Sequence, residues 1–195
     1  MFDFGISGYR PAWLQGRTAV EAAHGDRLAA LVGRPLTRAW LAWDLDDDSW
    51  FADCPVLLDF AGEQVEVNHQ KFDELSVTWN SVSPVDGPAW PGSRLAWRAE
   101  PLPDLAALRG QELRAVTLLQ WRGAKRDLAN GAVALGLAFP RGDLVVHNAL
   151  DENGLVFGPP DPRYLRHPLP AAGGPGGRLP ARDLPPRRPR RLRRR

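Results

Sequence analysis

The chain has 195 residues, 44% of them hydrophobic and eight of them tryptophan, which excludes a wholly disordered protein and suits one domain with a sizeable core. Its net charge of +2 conceals two opposed parts: eleven arginines and one acid, Asp183, from residue 163 onward, against 14 basic and 22 acidic residues before it. The body is therefore acidic, and the overall basic balance gives no reason to assign nucleic-acid binding to it. A single cysteine, Cys54, cannot form an internal disulfide. Neither a basic-then-apolar leader nor an apolar stretch of spanning length is seen, so the expectation is a cytoplasmic protein without a membrane span.

Residues 1–25 form an N-terminal segment that is partly irregular, with glycine, proline and aromatic residues in no clear period. Thr18 to Glu21 has capping-box spacing and predicts a helix start, which Gly25 is expected to break. Leu28–Leu31 and Leu105–Leu108 both read Leu-Ala-Ala-Leu, each with an aspartate ahead (Asp26, Asp104) and a glycine soon after (Gly33, Gly110). Aspartate at a helix start accepts free backbone N–H groups and glycine takes the left-handed terminus, so each run predicts a short helix.

Strands follow each helix in the same order. Leu36–Trp43 corresponds to Arg114–Trp121, both rich in β-branched and aromatic residues on two faces. By alternation Leu36, Trp40 and Ala42 share one face, and Ala39, Leu41 and Trp43 the other. Val56–Phe60 turns through Gly62 into Gln64–Asn68, and Ala132–Phe139 turns through Gly142 into Asp143–Asn148. Leu75–Trp79 and Leu155–Phe157 close the units. Between them Ser83–Trp97 reads as a crossing loop rich in Pro and Gly, with a strand near Arg94–Arg98. Ala132, Ala134, Gly136 and Ala138 make a small-residue face expected to lie under a closely packed neighbour.

The expected fold class is α+β, mainly β. Two pseudo-repeated four-stranded antiparallel meanders, residues 26–82 and 103–158, each opened by a short helix, pack around a shared core within one domain spanning 26–167. Residues 168–195 are almost entirely Arg, Pro, Gly, Ala and Leu, which predicts a disordered basic tail.

Candidate chemistry is sparse. Asp44, Asp46 and Asp48 alternate like the start of a calcium loop, but Ser49 and Pro55 stand where the turn glycine and closing glutamate belong, so a solvated loop is the reading. His69 and His147 lie in corresponding strands. Aligning Val65 with Leu144 and Val67 with Val146 sets His69 opposite Asn148 and Asn68 opposite His147. His69 then points with the core aliphatics and His147 the other way, which predicts that the histidines diverge. A metal-dependent hydrolase would draw on His69 and His147 with Asp73-Glu74 or Asp151-Glu152, yet no HxH or HExxH spacing accompanies them. Asp151-Glu152-Asn153-Gly154 reads as a turn. Cys54, beside Asp53, reads as a buried small hydrophobe, because a neighbouring carboxylate raises a thiol pKa. There is no GxGxxG after a strand, no GxxxxGK[ST] and no GxSxG.

Trp43-Asp-Leu-Asp-Asp-Asp48, Asn68-His-Gln-Lys-Phe72 and Asn148-Ala-Leu-Asp-Glu-Asn-Gly-Leu155 resemble segments of uncharacterised bacterial proteins, over about Leu28 to His167. That resemblance implies a recurring small β module and brings no activity, cofactor or site residue with it. The function expected from the residues is non-catalytic: a protein-binding or accessory module with an acidic body, no cofactor, no metal and another protein as partner. The alternatives are the metal-dependent hydrolase and a nucleic-acid-associated protein binding weakly and non-specifically through its basic tail.

Overall fold

The computed structural model describes residues 4–171; the arginine-rich segment for which disorder is expected lies outside them, apart from its first residues. In chain order the elements are β1 (Trp13–Gln15), α1 (Arg17–Ala29), β2 (Leu36–Asp44), β3 (Ser49–Trp50), β4 (Val56–Phe60), β5 (Glu63–Gln70), β6 (Glu74–Trp79) and β7 (Leu95–Ala99). The second unit adds α2 (Pro103–Leu108), β8 (Ala115–Trp121), β9 (Val133–Phe139), β10 (Gly142–Asn148), β11 (Asn153–Phe157) and β12 (Tyr164–Pro168).

These strands form two antiparallel sheets. One runs β1-β6-β5-β4-β2-β3 with β7 also on β2, and the other runs β11-β10-β9-β8-β12. The meanders β2-β4-β5-β6 and β8-β9-β10-β11 are the two expected repeats. Their registers match: Val67 faces Val77 as Val146 faces Leu155, and Phe60 faces Glu63 as Phe139 faces Gly142.

The units exchange backbone hydrogen bonds reciprocally. Gly33 N–H donates to the Leu113 carbonyl at 2.8 Å and Gly110 N–H to the Leu36 carbonyl at 2.7 Å. Leu36 N–H reaches Gln111 and Leu113 N–H reaches Arg34, each at 2.9 Å, around a bridge between Pro35 and Glu112. Gly33 and Gly110 hold φ of 88° and 78°, so glycine is required at both equivalent bends. Around this junction one core collects Leu58, Phe60, Val65 and Val67 from the first sheet and Leu135, Leu137, Leu144 and Val146 from the second. The Phe60 and Phe139 rings stack across it, centroids 6.5 Å apart and planes within 5°.

Several elements depart from the sequence reading. Helix α1 runs unbroken through Gly25, so the boundary placed after residue 25 falls inside a helix and Asp26 sits near its end. Gly25 is buried, and a Cβ there would lie 3.9 Å from Leu169 Cδ2. An added Cβ would make only ordinary contacts there, so packing does not impose glycine's cost of about 1 kcal/mol in a helix interior. Thr18 does not cap α1; Gly16 holds that position without a side-chain bond, and Glu21 pairs with Arg17. A register shift between Leu36 and Arg38 moves Leu36 onto the core face with Ala39 and Leu41, against the simple alternation. Strands β1 and β12, which pair with β6 and β8, carry no periodic signal of their own.

The outer face of the first sheet is covered. Phe4, Ile6, Tyr9 and Val82 pack there against Ala42, Cys54, Leu57 and Leu95, with Trp13, Trp40, Phe51, Trp90 and Trp97 around them. No helix among the described residues is long and apolar enough to cross a membrane.

A shared core makes the units interdependent. Phe60→Ala is expected to cost about 3–5 kcal/mol and to lower the stability of both units together in one urea transition. Two separated transitions, read by tryptophan fluorescence and by amide exchange of β9, would contradict a common core.

Candidate binding site

His69 points into the core and is 2% exposed. Its Nδ1 lies 3.1 Å from Asn153 Oδ1 and its Nε2 3.1 Å from the Val133 carbonyl, while its backbone N–H donates to the same Asn153 oxygen at 3.0 Å. The amide of Asn153 is oriented by three acceptors: its Nδ2 donates to the carbonyls of Ala52 and Cys54 and to Asn68 Oδ1. Both ring nitrogens of His69 therefore face oxygens and neither is open to a metal or a substrate. Burial drives its pKa down to about 4, so the ring is neutral at pH 7.

His147 stands on the opposite face of its sheet, as alternation requires. Its Nδ1 is 3.0 Å from the Asn148 carbonyl. The ring crosses β11 at Gly154, where a Cβ would come within 2.4 Å of Nε2. That contact, rather than a turn, is what glycine serves here. The turn expected at Asp151–Gly154 lies earlier: Leu150 and Asp151 take the positive φ of 67° and 83°, and Asn153 and Gly154 already belong to β11.

The remaining hydrolase candidates do not join these rings in one constellation. Asp73 accepts from Gln15 Nε2 at 3.3 Å, and Asp151 accepts from the Lys71 backbone N–H. Asp151 does approach His69 and Asp53 around a cleft of about 130 Å³ that includes Phe4, Gln70 and Trp90. Burial, then the Asp151 charge, raises the Asp53 carboxyl above its usual range. Among the described residues no group of three or more His, Cys, Asp or Glu side chains is placed to hold a metal ion. Cys54 is fully buried and its thiol is pushed up to about 12 by desolvation and by Asp53.

The acidic run forms the turn between β2 and β3. Asp44 Oδ1 accepts from the Asp46 and Asp47 backbone N–H groups, and Asp46 and Asp48 pair with Arg94 and Arg98 at 2.8 and 2.7 Å. Its carboxylates already serve the loop.

The outer face of the second sheet carries a pocket. Leu119, Ala134 and Val145 form its small apolar patch with Tyr164 against it. Over Ala132 and Ala134 lies a pocket of about 570 Å³, walled by Trp121, Tyr164, Val156 and Leu150. The small-residue face of β9 is packed by neighbouring strands, with Leu119 Cδ1 3.0 Å from where a Gly136 Cβ would be, and Ala132 and Ala134 are buried beneath the residues that wall the pocket. Short side chains at the floor leave the volume. Val156 and Leu150 at its edge are 41% and 79% exposed.

Polar groups stand around this apolar floor. Trp121 Nε1 donates to Asp127 Oδ2 at 2.9 Å and Ala129 N–H to Asp127 Oδ1 at 3.0 Å. Gly123 makes room for that carboxylate, which lies 1.9 Å from the position of an absent Cβ. The Trp121 hydrogen bond, then that of Ala129, holds the Asp127 carboxyl below its usual range. Arg163 lies 4.3 Å from the Trp121 ring centroid and is bidentate to Asp161, whose carboxyl is driven down to about 2. Of these residues the sequence flagged only the small-residue face and His147; Asp127, in the β8–β9 loop, has no motif around it.

Comparison with protein-family models, with curated proteins and with solved structures finds no match. The functional reading rests on this chain's own geometry.

A neutral buried imidazole makes stability depend on pH. Because the folded pKa of His69 lies below the ordinary 6.5, its contribution is full above pH 6.5 and is lost as pH falls toward 4. The half-buried His24, lowered by desolvation and Arg27, acts in the same direction. NMR of the imidazole rings is expected to show His69 still neutral at pH 5.5 in the folded protein, and His24→Gln is expected to keep part of the fall in melting temperature over that interval.

Proposed function

We propose that the protein is a non-catalytic binding module that receives an apolar segment of another protein in the pocket on the outer face of β8–β11. One observation carries this reading. Of the two pseudo-equivalent outer sheet faces, one is filled by the chain's own aromatic residues, while the other holds a pocket of about 570 Å³ at Ala132 and Ala134. A rimmed apolar concavity of this kind is the usual form of a recognition site. The residues around it bind and orient; none forms a nucleophile–base pair.

Neither alternative gains a supporting observation. His69 and His147 occupy opposite faces, and all but the first few residues of the arginine-rich tail on which nucleic-acid binding rests lie outside the described residues.

The test uses exposed wall positions, so that folding is preserved. Val156→Asp and Leu150→Asp are expected to change stability by no more than about 0.5 kcal/mol while reducing uptake of the neutral dye N-phenyl-1-naphthylamine at least about tenfold, since a charge is placed in an apolar wall. In affinity capture from the source cells, a protein retained by the wild type is expected to be lost with either variant. Capture that is indifferent to both substitutions would refute the pocket as the binding surface.

A further inference from the structure

Building on that reading, we infer that the segment entering the pocket is basic as well as apolar, and that a lysine or arginine side chain of the partner protein pairs there with Asp127. The charge of the lining argues for it. The pocket residues include two carboxylates, Asp127 and Asp161, and one guanidinium, Arg163. Arg163 is spent on Asp161, through paired bonds of 3.0 and 2.7 Å. Asp127 has no cationic group within ion-pair distance among the described residues. Its two hydrogen bonds come from an indole and a backbone amide, both uncharged, and the cation whose charge reaches it, Arg163, is itself bound to Asp161, so the three groups together keep a net negative charge. Gly123 and the closed loop bonds of Asn130 with Gly123 and Ala124, both 2.7 Å, fix where that charge sits.

The rest of the lining agrees. His147, also in the lining, turns its Nδ1 toward the Asn148 carbonyl. The apolar walls, Val156 and Leu150, suit the alkyl stem of a lysine or arginine whose head reaches Asp127. An anionic partner group would meet two carboxylates, Asp127 and Asp161, against the single guanidinium of Arg163.

The experiment titrates the full chain with three capped apolar tripeptides carrying lysine, glutamine or glutamate at the centre. Affinity is read by calorimetry and location by the Trp121 indole N–H resonance. The lysine peptide is expected to bind about fivefold more tightly than the glutamine peptide at low salt, and the glutamate peptide most weakly. The lysine advantage is expected to vanish in Asp127→Asn, which keeps an oxygen acceptor for Trp121, and to shrink in 0.5 M salt by screening. Equal binding of lysine and glutamine peptides, abolished by Val156→Asp, would overturn the charge assignment while leaving the pocket reading intact. Failure of every peptide to move the Trp121 resonance would overturn both. Lysine-peptide binding that strengthens with salt would show the chain's own arginine-rich segment as the occupant, and self-association that blocks the peptide would show a second copy; each overturns the assignment to a partner protein.

Discussion

Everything in this molecule depends on the fact that a four-stranded meander cannot cover both of its faces. Each unit leaves one apolar face uncovered, and each resolves this against the other, through aliphatic side chains and the stacked Phe60 and Phe139 rings. The reciprocal hydrogen bonds at residues 33–36 and 110–113 fix the relative placement of the units, because they satisfy backbone groups at bends that would otherwise be buried without partners.

The symmetry is then broken by what covers the outer faces. In the first unit the N-terminal segment folds over the sheet, bringing Phe4, Ile6 and Tyr9 onto Ala42 and Leu57. On the second unit the segment of residues 159–164 lies beside small floor residues and leaves a pocket between two aromatic walls, with Asp127 at the rim. The pocket is therefore a consequence of duplication with unequal covering of the two outer faces.

The same break explains the polar residues. Asn153 occupies the place that Leu75 holds in the first unit, each opposite its hairpin partner, Asn148 or His69. Its amide gathers the Ala52 and Cys54 carbonyls, Asn68 and the His69 backbone, so a position that is apolar in one repeat becomes a hydrogen-bonded link between repeats in the other. His69 belongs to that link. A buried imidazole whose two ring nitrogens face oxygens of the second unit is a structural part, and chemistry carried by ligand type alone does not follow from it.

Much of this was written in local pattern. The strand order, the four-strand repeats and the divergence of His69 from His147 follow from period-two alternation and hairpin glycines, because these depend on neighbours in sequence. Local signals misled at Gly25 and at Asn153-Gly154. Helix α1 carries Gly25 in its interior without a break, and at Gly154 a histidine ring from the neighbouring strand decides the glycine's role. The pocket was the least legible feature. The small residues of β9 announce close packing, but whether anything lies over Ala132 and Ala134 depends on the paths of distant segments. Asp127 gains meaning only when a loop with no motif brings it to Trp121. Periodicity thus determined the duplicated core, and the tertiary arrangement decided which of its two outer faces holds a pocket.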